Sequence, residues 1–520
     1  MRFVRTNRSK NPEVLEAKSR LIVPGHLDPQ LGTFRTDSPT TSPLAISLCV
    51  TVAVSKKWEG VTFDVSTAFL SGQPTTRKVY IRAPKEGLPA AEGQPKVAPG
   101  RLLEIVKGAY GLSEAPRLWY LRAREILEGH GWQELTCSRS TFLLREDERT
   151  IATLNLHVDD GIVLGEKEHP RYKKAIRDMN KDFHIKEWQD LRRGVGYLGG
   201  RWTLQEDGSI VLEMEKYISE LPQIDPKKKP TQKEFRSVLM KLAWPVRHVL
   251  PQLAYGVSYL ASQVENPTQE DAKRLHLLIK EAKFLNEQKE ARIVFPAVDL
   301  ERGLVITSFD ASYAKEPGMK SQGGFVTFIS DQRITKEPSK CCLVEFQSTK
   351  VDRVVKSTMA AESASLSRAL DRQLYARLLL EAILHGEPEF TEGWRHRLKI
   401  PGIVVTDAKS LYDHLRTTGS IPAERQTLID LLIARDLCEN GVLEIRWVPT
   451  AHQLADVLTK MMKVPETMHQ FLTQQKYCLV QTEVQQEREA HLKHLRQGQR
   501  ERRKGRMKKL RDEKAILNEA

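Results

Sequence analysis

The segment LNLHVDDGIVLG constrains the fold of this chain more than any other stretch. Apolar runs flank Asp159 and Asp160, from Ile151 to Leu156 before them and from Ile162 to Leu164 after them. Two short apolar runs around a polar turn predict a β-hairpin with both carboxylates at its tip. Asp is also a good turn former, so the pair by itself reads equally well as a solvated hairpin tip. Adjacent like charges repel, and a cation offsets that cost. Hard divalent cations such as Mg²⁺ take oxygen ligands, commonly a carboxylate or two together with substrate phosphates. Two such ions can activate an attacking hydroxyl and stabilise a leaving oxygen.

Two further segments give the hairpin a context. WEGVTFDVSTAFLSGQP places Asp64 at the end of an apolar strand, before a turn of small residues. It is a candidate third carboxylate, although a strand-end Asp also serves as a cap for a following helix. KGAYGLSEAPRLWY offers Lys107 and Arg117 beside Tyr110, Trp119 and Tyr120. Basic and stacking groups together suit a nucleic-acid cleft. A helix that packs its aromatics into a core has the same composition.

A chain of 520 residues exceeds one ordinary core and suggests two to four domains. No apolar run is long enough to span a bilayer, and MRFVRTNRSKNPEV has no apolar signal region. The six cysteines show no CxxC zinc spacing and read as reduced thiols of an intracellular protein. The formal net charge of +14 attracts polyanions, with nucleic acid foremost. Part of that charge sits in the polar stretch from Arg488 to Lys509.

Pro84 to Gly100 reads as a loop, and Lys173 to Phe183 as an amphipathic helix. YLGGRWTLQEDGSIVLEM reads as two strands joined at Asp207-Gly208. Residues 230–290 are helical by their apolar spacing, with breaks expected at Pro245, Pro251 and Pro267. From Val298 the pattern becomes three strands, a long helix from Ser357 to His385, then strand, helix, strand, helix. After Met462 the core signal fades. This last unit carries Asp310 and Asp407 at strand ends, Glu362 near the start of the long helix, and Asp456 in QLADVLTK. Such acids can converge at one edge of an α/β sheet, where metal offsets their repulsion and suits phosphodiester hydrolysis. Singly, Glu362 also reads as a first-turn acid favoured by the helix dipole and Asp407 as an N-cap. His452 reads as a loop residue.

FDVSTAFLSG, GAYGLSEAPRLWY and HVDD, in that order, resemble the reverse transcriptase of copia-type long-terminal-repeat retrotransposons. EAKSRLIVPG resembles that family's opening basic motif, and SFDASYA, STMAAESASL, VVTDAKSLYDHL and VPTAHQLADVLTK resemble its ribonuclease H. The resemblance covers about residues 15–465. It implies an α/β multidomain chain: right-hand fingers and palm over 1–200, a helical thumb or connection over 201–295, a ribonuclease H-like domain over 296–465, and a basic tail over 466–520. The implied activity is RNA-directed DNA synthesis with cleavage of the RNA strand of RNA–DNA hybrids. Asp64, Asp159 and Asp160 would be the palm ligands, and Asp310, Glu362, Asp407 and Asp456 the second set. Each set would hold two Mg²⁺, with Mn²⁺ as the substitute. Lys18, Arg20 and Arg117 would face substrate. The implied partners are RNA template, DNA primer, RNA–DNA hybrid and deoxynucleoside triphosphates, in a cytoplasmic particle or the nucleus, with no membrane. Capsid, protease, integrase and zinc-finger segments are not visible, so the chain reads as a fragment, a processed product or a truncated gene. Two positions depart from the pattern: His157 stands where the family usually has Tyr, and Glu114 where it favours Gln. An added carboxylate at Glu114 is expected to weaken binding of a phosphate-bearing partner. The alternative is a catalytically inactive remnant that binds nucleic acid through its charge.

Overall fold

A computed structural model describes residues 1–7, 15–90, 95–316, 318–417, 422 and 424–479. The basic stretch from Arg488 to Lys509 lies outside the described residues.

β1 (Arg2–Asn7) and β2 (Ala17–Ile22) pair as an antiparallel ribbon. α1 (Pro43–Ser55) follows. Ser42 Oγ accepts from Ala45 N at 3.1 Å, and Pro43 fills the first helical position, where its missing N–H costs nothing. The sequence PLAISLCVTVAVS is apolar on every face, and such a helix has to be covered all round.

The next strands are β3 (Glu59–Val65), the ribbon β4 (Pro74–Arg82) with β5 (Leu102–Lys107), and then, after α2 (Ala115–Gly129), β6 (Trp132–Glu134), β7 (Thr141–Glu146), β8 (Arg149–His157) and β9 (Asp160–Gly165). α3 (Pro170–Asp182) and β10 (Ile185–Asp190) complete the unit. The sheet order is β10-β3-β9-β8-β7-β6, antiparallel at every step. α2 and α3 cover one face, where Trp119, Leu127, Phe142, Leu154 and Met179 share a core. Ile162 and Leu164 point into a second core together with α1. β8 and β9 are thus buried on both faces; the run Ile162–Leu164 in β9 is accordingly unbroken, while β8 also buries Thr153 and Asn155.

β11 (Val195–Tyr197), β12 (Gly200–Leu204), β13 (Ile210–Glu213) and β14 (Arg292–Phe295) form a four-stranded sheet. The turn expected at Asp207-Gly208 is present, with Gly208 at φ +83°. Between β13 and β14 lie α4 (Glu215–Ser219), α5 (Gln232–Val249), α6 (Ala254–Ala261) and α7 (Gln269–Glu287). Pro251 and Pro267 fall between helices as expected, but Pro245 does not break α5. The carbonyl that Pro245 leaves unbonded belongs to exposed Lys241, within reach of water, and buried Leu242, Val246 and Val249 hold the helix by packing.

The last unit comprises β15 (Gly303–Glu316), β16 (Lys320–Asp331), β17 (Ser339–Lys340), β18 (Cys342–Lys350), α8 (Thr358–His385), β19 (Gly402–Thr406), α9 (Lys409–Arg416), α10 (Arg425–Glu439), β20 (Glu444–Trp447), α11 (Glu466–Gln474) and β21 (Lys476–Tyr477). Its main sheet has the order β18-β16-β15-β19-β20. The first three strands are antiparallel, and β19 and β20 then run parallel to β15. The expected α/β fold class is therefore the one observed, with a mixed five-stranded sheet at its end. The core does not stop near Met462: Met468, Phe471, Tyr477 and Leu479 are buried, and β21 pairs with β17. The Phe471 and Tyr477 rings meet Phe328 edge-on at 5.1 and 5.7 Å.

One cluster of buried apolar side chains runs from Leu44 to Leu479 and joins the three large sheets. α1 lies within it, packed against β9 of the first sheet and against α8 and β18 of the last. Thr51 Oγ1 lies 3.1 Å from Cys342 Sγ across that contact. Polar ties lie alongside. Glu387 accepts from Thr136 Oγ1 at 2.9 Å and Cys137 N at 2.7 Å, and Tyr375 donates to Cys137 O at 3.1 Å. All six cysteines are unbridged.

Candidate active sites

The hairpin forms as the sequence predicts, and pairing sets its register. Asp64 on β3 stands opposite Asp160 on β9, and Val65 N donates to Asp159 O at 2.8 Å. Val158 turns the tip at φ +59°, a conformation uncommon for a β-branched residue. Trp119 holds it there, with Nε1 donating to Val158 O at 2.6 Å. This is the work of an aromatic in GAYGLSEAPRLWY that composition alone could not separate from core packing.

Asp64 is exposed, and Asp159 and Asp160 are half-buried. Burial pushes the carboxyls of Asp159 and Asp160 up, and their acidic neighbours add to it. His157 acts against the rise at both, and Arg20 acts against it at Asp159. Arg20 on β2 therefore lies within electrostatic reach of the tip, and Lys18 shares its strand face two residues away. Arg117 is engaged elsewhere: its Nη1 lies 2.7 Å from Asp37 Oδ2, which also pairs with Arg35. Glu114 is not a loose charge. It is buried, its Oε1 accepts from Thr75 Oγ1 at 2.8 Å, and its Oε2 accepts from Arg77 Nε at 3.1 Å. The added carboxylate is thus matched by a cation.

The second set is drawn together more tightly. Asp310 lies in the middle of β15, not at a strand end as expected, because the strand runs on in pairing with β16 past it. Glu362 lies in the first turns of α8 after the Ser357 cap, Asp407 just past β19, and Asp456 in a 3-10 turn, Ala455–Leu458. Carboxylate oxygens of Asp310, Asp407 and Asp456 lie within 4.8 Å of one another, the one such group of three among the described residues. Asp64, Asp159 and Asp160 are not drawn that close. Burial pushes the Asp310 carboxyl up to about 7, with Asp456 and Asp407 adding to the rise while Lys460 and Thr459 oppose it. Burial raises Glu362 as well, reinforced by Asp310 and Asp407. Glu362 Oε2 is buried with no hydrogen-bond partner.

Three neighbours of this set went unread in the sequence. Gln453 Nε2 donates to Phe309 O at 2.9 Å and Asp407 Oδ1 at 3.4 Å, while its Oε1 accepts from Ala455 N at 3.1 Å. Thr459 Oγ1 donates to Asp310 Oδ2. Lys460 Nζ lies 2.9 Å from Asp456 Oδ1 and 3.6 Å from Asp310 Oδ2. The available signal was the spacing in QLADVLTK, since a tight turn at Asp456 brings residues three and four positions on back to it. His452 lies in a 3-10 turn, where its carbonyl accepts from Tyr477 at 2.7 Å.

Convergent buried carboxylates with an unsatisfied oxygen fit a hard divalent cation in the second set. The hairpin set offers three carboxylates on paired strands, an open arrangement that suits ions shared with a phosphate-bearing substrate. A cavity of about 530 Å³ opens elsewhere, bordered by Met240, Arg247, Val257, Leu343 and Glu345, and none of the seven acids lines it. Among the described residues no helix is long and apolar enough to cross a membrane.

Residues 1–225, the stretch holding Asp64, Asp159 and Asp160, match the family model for reverse transcriptase (RNA-dependent DNA polymerase). Over about 85% of its length the chain is a homologue of Pol polyproteins of copia-type retrotransposons, as its motifs led us to expect. It is 24% identical over 467 residues to the retrovirus-related Pol polyprotein from transposon RE2 of Arabidopsis thaliana, covering 85% of this chain and 29% of that one. For transposon RE1 of the same plant it is 24% over 472 residues, covering 85% and 29%. For transposon TNT 1-94 of Nicotiana tabacum it is 22% over 483 residues, covering 86% and 33%. The chain thus spans about a third or less of the length of these relatives. Among solved structures it is similar to a foamy viral protease-reverse transcriptase in complex with double-stranded DNA, at a TM-score of 0.45 and 13% identity, covering 79% of this chain and 60% of that one.

Proposed function

We propose that this chain copies RNA into DNA at the hairpin site and cuts the RNA strand of RNA–DNA hybrids at the second carboxylate set. The observation that carries the first half is the register of Asp64 opposite Asp160, with Asp159 beside them, inside the segment matching the reverse transcriptase family. Asp310, Asp407 and Asp456 gathered beside buried Glu362 carry the second. Mg²⁺, or Mn²⁺ in its place, would supply charge neutralisation and an activated oxygen nucleophile at both sites. The residues of the chain do the rest. The hairpin acids would hold the catalytic ions, and Arg20 and Lys18 on β2 would meet the incoming triphosphate. Gln453 orients Asp407, and Thr459 orients Asp310. Fingers and palm then occupy residues 1–200, thumb or connection 201–295, and the hybrid-cutting unit runs from 296 through the buried residues up to Leu479. The partners are RNA template, DNA primer, hybrid and deoxynucleoside triphosphates, drawn by a net charge of +14.

The test is primer extension on an RNA template, run beside cleavage of a labelled RNA–DNA hybrid. Asp159→Asn should abolish extension and leave cleavage and template binding, and Asp407→Asn should do the reverse. Binding without incorporation by the parent chain would point to an inactive remnant. Equal loss of both activities in either variant, with a lowered melting temperature, would refute two separate sites.

A further inference from the structure

The second carboxylate set carries a cation of the chain's own. Lys460 Nζ lies 2.9 Å from Asp456 Oδ1 and 3.6 Å from Asp310 Oδ2, so one ammonium spans two of the three converging acids. Its side chain is 34% exposed and both partner side chains are 4% exposed, so this is not a solvated surface pair. The backbone prescribes the placement: Thr459 N donates to Asp456 O at 3.1 Å, and that tight turn brings the next residue back over the Asp456 carboxylate. Gln453 stands against Asp407, and Thr459 holds Asp310 Oδ2. The stem of Lys460 is therefore confined to the Asp310–Asp456 edge.

A divalent cation bridging that edge needs the same oxygens. Mg²⁺ sits about 2.0–2.1 Å from its ligands and demands near-octahedral geometry. An ammonium in contact with one of these oxygens and close to the other repels such an ion and fills its approach. Lys460 and a bridging cation therefore exclude one another at this edge, while Asp407 and Glu362 remain open to a cation.

We propose that Lys460 is a competing internal cation that sets the concentration at which a divalent ion takes and leaves the Asp310–Asp456 edge. It is a positioning residue, and the inference rests on the metal-dependent, hybrid-cutting role proposed for this site. Lys460 holds Asp310 and Asp456 together, and a divalent ion taking both carboxylates would have to displace its ammonium. A neutral side chain at 460 then has two opposite effects. The metal-free protein loses stability, because buried Asp310 and Asp456 lose their counter-charge, and the metal-binding protein gains affinity, because nothing has to be displaced.

The experiment uses the full chain carrying Asp160→Asn, so that the hairpin site contributes little to metal binding. Mg²⁺ and Mn²⁺ are titrated without nucleic acid, following the melting temperature and the free Mn²⁺ spin-resonance signal. Lys460→Met, with Lys460→Gln as a second neutral variant should Met fail to fold, is expected to lower the metal-free melting temperature. It should also reduce the half-saturating Mn²⁺ concentration by about tenfold or more, as befits removal of a charge within 4 Å in a partly buried site. Lys460→Arg, which keeps the charge, should stay near the parent. A neutral variant whose midpoint equals or exceeds the parent's overturns the proposal. Asp407→Asn separates the two levels of the argument. If the parent's metal response vanishes in Asp407→Asn while the Lys460 variants leave the midpoint unmoved, the role of Lys460 alone is refuted. If the parent shows no response that Asp407→Asn removes, the metal-site reading fails and the proposal falls with it.

Discussion

Removing the guanidinium of Arg77 tests how the loop carrying Asp28 and Gln30 is held to the motif that carries Glu114. Arg77 projects from β4 with its side chain 15% exposed. It pairs with Asp28 Oδ2 at 2.5 Å and Glu114 Oε2 at 3.1 Å, and those acids are 9% and 7% exposed. It also donates to Gln30 Oε1 at 3.1 Å and stacks 3.9 Å over the Phe34 ring. Arg77→Met keeps most of the volume and leaves two carboxylates without a cation. Breaking a buried pair from one side costs about 3–5 kcal/mol, and because the cluster lies just beneath the surface we expect the lower end, about 3 kcal/mol. Glu114→Gln keeps the Arg77 hydrogen bond through its amide oxygen and can turn its NH2 to donate to Thr75 Oγ1, so it should cost only about 1 kcal/mol. Unfolding of so long a chain is not a single two-state step, so the readout should be local. Amide exchange over residues 24–35 and 74–82 should speed up roughly 150-fold in Arg77→Met. The pH dependence has a defined sign. The Arg77 hydrogen bond, the largest favourable influence, holds the Asp28 carboxyl below its usual range. A depressed carboxyl stabilises above its unfolded value, about 3.9, and that contribution is lost as pH falls through its lower folded value. The Arg77→Met penalty should therefore be full at pH 7 and shrink on acidification below about pH 4. Exchange within twofold of the parent at pH 7, or equal damage from Glu114→Gln, would refute the account.

Trp119→Phe removes the 2.6 Å bond to Val158 O, worth about 1 kcal/mol, and should slow primer extension about fivefold while hybrid cleavage is untouched; equal extension rates would sink it. Arg377 is buried and donates to Ile400 O at 2.8 Å and Val442 O at 2.6 Å, so Arg377→Met orphans two carbonyls and should cost about 2 kcal/mol or more, read as a lowered melting temperature. Burial raises the Asp310 carboxyl to about 7, so without metal its ionisation costs stability progressively from about pH 4 upwards. Asp310→Asn should flatten the fall in melting temperature between pH 5 and 8, and a slope like the parent's would contradict this.

The acids and the strands that present them were legible because each sits at a visible change of pattern. The apolar runs around Asp159, the strand before Asp407 and the long helix after Ser357 each predict an element with an acid near one end, whereas Asp310 sits mid-strand because β15 runs on beside β16. Less legible was anything decided between distant segments. Pro245 lies inside a helix because packing of its neighbours outweighs one lost bond. Glu114 looks like an intrusive charge until Arg77, 37 residues away, is seen against it. Lys460 and Gln453 lie near Asp456 in sequence, yet their meaning depends on Asp310 and Asp407 arriving from two other strands. Residues 466–479 are short and polar on the page, and are buried because Phe328 waits for them across the sheet.

The place of α1 within the core has a consequence for how the chain is made. Thr51 meets Cys342, 291 residues later in the sequence. At a synthesis rate of about 5–20 residues per second, that partner emerges from the ribosome on the order of 15–60 s after α1 does. Until β9 emerges the mostly apolar helix is wet all round, and from then until β18 arrives one of its faces stays wet. Newly made chains should therefore need a chaperone to shield residues 43–55 until β18 and α8 arrive, and chains halted before residue 342 should aggregate through that segment.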